Sequence, residues 1–206
     1  MNLLLGTKIG MSRIFDEDGK VIPLTLIQSG ESVVTQVKST EKDGYSAIQV
    51  SHGVRKNLNK AQKGHFGDAG SFRYSKEQKI SSEESQNVAK GQKINIDFLS
   101  LGDIVRASAI SKSKGFQGGV KRHGFAGMPR THGHHHVLRH VGSGGQRFPQ
   151  HTLKGSRGPG RMGGDRISTR GLKVVYLDIA NNIIGLKGAV PGRKGSLVEI
   201  TKLSKK

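Results

Sequence analysis

The stretch THGHHHVLRHVGSGGQR, Thr131 to Arg147, decides how the chain must be divided. It combines histidine, arginine and glycine, has no carboxylate, and offers only three aliphatic side chains, Val137, Leu138 and Val141. Such a segment can neither build a core nor supply the acids that most metal and catalytic sites need. It is the middle of a longer region of the same kind. From Ile110 to Arg170 the 61 residues include twelve Lys or Arg and a single acid, Asp165, which gives +11. The other 145 residues hold the remaining +8 of the formal +19. Seven of the nine histidines and fourteen of the thirty glycines also fall in this region.

Only thirteen of those 61 residues are hydrophobic. Fixing a backbone costs roughly 1–2 kcal/mol per residue, more than so few apolar groups offset. The region is therefore expected to take its order from something outside itself. A structureless stretch of this length inside a compact domain is uncommon and usually signals disorder or function.

The flanks are a different material. VIPLTLIQ (Val21–Gln28), SVVTQVK (Ser32–Lys38), SAIQVSH (Ser46–His52), DIVRASAIS (Asp103–Ser111), KVVYLDIA (Lys173–Ala180), NIIGLKG (Asn182–Gly188) and SLVEITKL (Ser196–Leu203) are short, β-branched and partly alternating. Asp18-Gly19, Asp43-Gly44 and Asn181-Asn182 stand between or beside them as turn formers, because these residues tolerate positive φ. Many short strands at close spacing predict a barrel or sandwich. The charged run Tyr74 to Gln92 reads as a solvated insertion between strands. The expected fold is mainly β: a small β-domain, barrel or sandwich, of residues 1–110 and 167–206, interrupted by a long, mostly irregular basic extension of residues 111–166.

Whole-chain totals narrow the function. Lys and Arg number 34 against 15 acids, which draws polyanions and makes nucleic acid the leading partner. An anionic membrane surface would also respond to that charge, but no apolar run of about 18 residues and no basic amphipathic helix stands out. There is no cysteine, so disulfides, thiolate catalysis and Cys-based zinc sites are excluded. The start MNLLLGTKIGMSRIF lacks the apolar core of a secretory signal and is expected to begin a cytoplasmic protein.

SKSKGFQGGVKRHGFAGMPRTHG, Ser111 to Gly133, carries the chemistry expected of an RNA contact. Glycines allow close backbone approach to phosphate, Lys and Arg neutralise it, and Phe116 and Phe125 can stack on bases or pack in a groove. A disordered basic linker is the competing reading. The residues expected to meet RNA are Lys112, Lys114, Phe116, Lys121, Arg122, His123, Arg130, His132, His134, Arg139, His140, Ser143, Gln146, Arg147, Lys154, Arg157, Arg161 and Arg166. His132 and His134 to His136 could offer imidazoles to zinc or nickel, but no carboxylate lies nearby to orient them and the local cations oppose a dication. No metal or other cofactor is expected. GSGGQR (Gly142–Arg147) resembles an anion nest. GAVPGRKGS (Gly188–Ser196) misses the P-loop spacing and reads as a turn between strands. A catalytic site needs a base with an orienting carboxylate or a carboxylate pair, and none is evident, so no enzyme is expected.

These motifs stand in a familiar order. GTKIGMSRIFDEDGKVIPLTLI (Gly6–Ile27), KGHFGDAG (Lys63–Gly70), SKSKGFQGGVKRHGF (Ser111–Phe125), THG, GSGGQR, LKGSRGPGRMGGDR (Leu153–Arg166) and LKGAVPGRKGS (Leu186–Ser196) resemble the bacterial-type ribosomal protein L-three (uL3) family of the large subunit over nearly the whole chain. The resemblance implies a barrel domain with an extension running between rRNA segments toward the peptidyl transferase centre, its innermost part matching Gly142 to Gly155. It also implies direct rRNA binding, a part in nucleating subunit assembly, and ribosomal proteins L-fourteen and L-nineteen as neighbours. Two features depart from the family pattern. Many bacterial members carry a methylated glutamine shortly after GSxGQ, where this chain has Arg147 and Phe148, and the run His134 to His136 is unusual.

Overall fold

A computed structural model of the chain describes residues 3–81, 83 and 88–203. They form two compact units, one of residues 3–111 and 166–203 and one of residues 112–165.

Among the described residues the first unit holds ten strands. Six close into a barrel: β1 (Leu3–Phe15), β12 (Leu197–Lys202), β7 (Ile104–Ile110), β10 (Arg166–Asp178), β11 (Ile183–Lys187) and β2 (Val21–Gln28), each antiparallel to the next and β2 returning to β1. Closure removes the open edges that would otherwise invite pairing with other chains. Its interior is filled by Leu4, Ile27, Val105, Ala107, Val174, Ile184, Leu186, Val198 and Ile200, all fully buried. Gly6 is required where β1 crosses β2: a Cβ there would lie 2.6 Å from Ile27 Cγ2 and 2.9 Å from the Gln28 carbonyl.

A second sheet has the order β5 (Phe72–Lys79), β4 (Ala47–Val54), β3 (Ser32–Lys38), β6 (Lys93–Ile94). Val34, Ile48, Val50 and Ile94 join the barrel residues in one hydrophobic cluster. A single turn of helix, α1 (Thr40–Asp43), links β3 to β4, and α2 (Lys60–Phe66) follows β4. Asn59 caps α2 reciprocally with Gln62: its side chain accepts from Gln62 N at 2.7 Å. The expected turn formers behave as read, with Gly19, Gly44 and Asn182 all at positive φ.

Several strands differ from the sequence reading: β6 is an addition to it, and β10 starts at Arg166 where the strand is expected from Lys173. Leu3–Phe15 is a strand, although interspersed glycines and cations hide its pattern. The run from Tyr74 is not all solvated insertion: Phe72–Lys79 is the edge strand β5, paired to β4 from Val54↔Phe72 to Ala47↔Lys79. Its half-buried positions are Phe72, Tyr74, Lys76 and Gln78, so polar side chains occupy two of four inward sites and erase the alternation. Residues 82 and 84–87 of that run lie outside the described residues.

Candidate nucleic-acid interface

The 54 residues of the second unit, 112–165, contain ten Lys or Arg and one acid. Regular structure is limited to a two-residue ladder of β8 (Phe116–Gln117) with β9 (Gly160–Arg161) and to a five-residue helix, α3 (Gly119–His123). Gly119 is its only buried residue. The unit is held by glycines and backbone rather than by a core. A Cβ on Gly119 would meet Val141 Cγ2 at 2.5 Å and Phe125 Cδ2 at 2.9 Å, and the Phe125 ring meets His123 edge-on at 6.2 Å. Gly127 and Gly163, both at positive φ, press against the carbonyls of Leu138 and Lys112 too closely for any side chain. Met162 N donates to Gly115 O and Lys114 N to Met162 O, each at 2.9 Å, which joins the two ends of the unit.

Most residues expected to meet RNA lie on its surface. Lys112, Lys114, Phe116, Lys121, Arg130, His132, Arg139, His140, Ser143, Gln146, Arg147, Lys154, Arg157 and Arg161 are exposed, Phe116 to 76 %. Among the described residues none of the ten cations makes an ion pair, so their field is uncompensated. Arg147 lies over the Phe148 ring at 5.8 Å, presenting a planar cation beside an exposed aromatic. His132 takes the left-handed conformation, as does His136, and His134 is half-buried between them.

Three residues are placed differently. Arg122 is half-buried and donates from Nη1 to Gly158 O at 2.9 Å, so it braces the unit. His123 is half-buried with Nε2 sealed from solvent and without a hydrogen-bond partner. Arg166 belongs to β10 of the barrel and is ion-paired with Glu199, which also holds Lys76 at 3.3 Å. Ser143 closes its own turn, donating to Gly145 O at 2.8 Å. In GSGGQR only Gly142 has positive φ. Among the described residues no three His, Asp or Glu side chains converge as metal ligands would.

The first unit carries a cationic surface that sequence reasoning passed over. Val54, Arg55, Lys56, Arg73 and Tyr74 line an open groove of about 600 Å3. Arg55 N donates to Ser71 O at 3.1 Å, extending the β4–β5 pairing, and the Arg73 guanidinium lies 5.1 Å from the Tyr74 ring centre. On the same strand, Glu77 is engaged 2.7 Å from Lys38 Nζ; that contact holds its carboxyl below the usual carboxylate range and keeps the Lys38 ammonium charged. The available signal was the absence of any acid between Asp43 and Asp68, a span that contains Arg55, Lys56, Lys60 and Lys63.

The fold and these surfaces define a class: a β-barrel protein that carries an inserted, nearly coreless unit whose cations are left unpaired. Residues 78–177 match the model of the family described as Ribosomal protein L3. The chain is 43% identical over 205 residues to the Large ribosomal subunit protein uL3 of Finegoldia magna, covering 97% of both chains. It is 43% identical over 211 residues to that of Chlorobium limicola, covering 100% of both. The corresponding protein of Corynebacterium diphtheriae is 40% identical over 200 residues, with 96% of this chain and 92% of that protein covered. The chain belongs to the ribosomal protein L3 (uL3) family.

Proposed function

We propose that the chain is a structural component of the bacterial large ribosomal subunit, working in the cytoplasm without catalysing a reaction, and that it binds large-subunit rRNA directly. The observation that carries this is the set of ten cations in residues 112–165 with no ion pair among the described residues, on a unit with one buried residue. A surface so charged and so poorly packed gains its order from phosphates, with counterion release as the driving force. Exposed Phe116 and Phe148 supply faces for base stacking. The groove of Arg55, Lys56 and Arg73 adds a contact from the globular unit.

The finer reading follows the family resemblance. The barrel domain, residues 1–110 and 167–206, docks on folded rRNA and helps nucleate subunit assembly. The extension, residues 111–166, threads between rRNA segments toward the peptidyl transferase centre, and ribosomal proteins L-fourteen and L-nineteen flank the domain. The test is sedimentation: the full chain is expected to travel with large subunits at moderate salt and to be stripped only at high salt. A chain that stays at the top of the gradient at low salt overturns the assignment.

A further inference from the structure

The β1–β2 hairpin outruns the barrel. On its outer edges β1 is paired to β12 only through Thr7, with Lys8 bonded to Ser196 and Gly195, and β2 is paired to β11 only from Leu24, with the Pro23 carbonyl bonded to Gly188. Beyond these points the register continues between β1 and β2 alone, through Arg13↔Pro23, Ile14↔Ile22 and Phe15↔Val21. A two-stranded ribbon is marginal in water unless something packs on it.

One face of this ribbon is largely apolar and open, with Arg13 as its one charged side chain. Met11 is paired to Thr25, and Thr25 to Leu186 of the core, so Met11, Arg13, Phe15, Val21 and Pro23 continue the face that lines the barrel interior, with Arg13 standing between Met11 and Phe15 opposite Pro23. Where that face leaves the barrel, Met11 is 58%, Phe15 67% and Val21 54% exposed. Four exposed apolar side chains around a single cation make a surface of the kind that docks a partner.

Charge selects the occupant. The turn closing the ribbon, Asp16-Glu17-Asp18-Gly19-Lys20, holds three of the chain's fifteen acids. Its backbone is ordered by Asp16 N to Lys20 O and Gly19 N to Asp16 O, both 2.9 Å, which keeps the three acids together at the tip. Among the described residues only Asp18 of the three has an ion-pair partner, the largely solvated Lys20 at 3.3 Å. From Met11 to Pro23 the hairpin holds three acids against two cations, Arg13 and Lys20, in a chain of net +19, and the carboxylates clustered at its tip repel phosphate. We infer that the Met11–Pro23 hairpin is a protein-docking surface that takes a basic protein partner, its aliphatic or aromatic side chains on Met11, Phe15 and Val21 and its Lys or Arg on Glu17 and Asp18. This inference rests on the ribosomal reading in that the partner is sought within the assembled subunit.

The chain has no native cysteine, so single-cysteine labelling is clean. The full chain would carry Phe15→Cys or Val21→Cys, or a benzophenone-bearing phenylalanine at position 15, and would be studied free and in large subunits. Maleimide labelling in the subunit is expected to be at least tenfold slower than in the free chain. Irradiation is expected to give an adduct that resists ribonuclease and contains a protein of strongly positive net charge. Glu17→Lys with Asp18→Lys, two exposed turn positions, should cut that adduct at least fivefold while the chain still enters subunits. Labelling as fast in the subunit as in the free chain, a ribonuclease-sensitive adduct, an acidic protein in the adduct, or a yield indifferent to the charge reversal each overturns the inference alone. Absence of the chain from the subunit fraction overturns the ribosomal assignment and this inference with it.

Discussion

Removing Gly115–Gly164 tests the division of labour between the two units. Ile110 and Arg166 are paired in register across β7 and β10, so the deletion leaves Ser111, Lys112, Ser113, Lys114 and Asp165 as a five-residue connection between them. Hairpin loops of that length are common. No deleted residue belongs to the hydrophobic cluster of the barrel and its companion sheet, so the truncated chain is expected to fold. The deletion takes away eight cations: Lys121, Arg122, Arg130, Arg139, Arg147, Lys154, Arg157 and Arg161. Arg122 is spent on Gly158, and if about half of the other seven neutralise phosphates, the slope of log K against log salt falls by about 3. A fourfold rise in salt should then weaken the intact chain about sixty-fold more than the truncated one. Filter binding to large-subunit rRNA at several salt concentrations, with circular dichroism to verify the barrel, measures both. A well-folded truncated chain with an unchanged slope would refute the reasoning.

Other perturbations follow from the same geometry. Gly6→Ala puts a methyl group 2.6 Å from Ile27 Cγ2 and should lower the stability of the barrel by about 1–3 kcal/mol in a urea titration; an unchanged midpoint contradicts the close approach. His52 is buried, and burial holds its imidazole below the ordinary histidine value near 6.5. The unfolded chain therefore takes up a proton as pH falls below about 6.5 while the folded chain does not, so stability is full above that pH and declines below it; His52→Asn should flatten the decline. Neutralising Lys112, Lys114 and Lys121 together should lower the salt slope of rRNA binding by about 2 to 3, whereas Glu199→Gln, which frees Lys76 and Arg166, should leave it the same or steepen it.

The strands Val21–Gln28 and Ser32–Lys38 were readable to the residue because each is β-branched and bounded by turn formers. β1 was hidden because one strand serves two environments, a buried start at Leu3–Leu5 and an exposed end at Met11–Phe15, which leaves no single period. β5 was hidden because two polar side chains take inward positions at a sheet edge, Lys76 paired there with Glu199 and Gln78 with its Oε1 sealed from solvent. The basic region was plain from charge alone. Composition could not say that Arg122 braces the fold through Gly158 or that Arg166 is shared with Glu199, since both depend on carbonyls and carboxylates 33 or more residues away. The groove of Arg55, Lys56 and Arg73 needed the pairing of β4 with β5 to bring its cations together.

Residues 112–165 have one buried residue and two short pieces of regular structure, so their order is expected to come from a polyanion around them. Amide hydrogen exchange of the purified, RNA-free chain, followed by the same experiment on the chain in large subunits, measures this directly. The expected result is exchange within seconds throughout 112–165 in the free chain, strong protection of β1, β7, β10 and β12, and slow exchange of both in the subunit. Protection of 112–165 equal to that of the barrel strands before any RNA is added would contradict it.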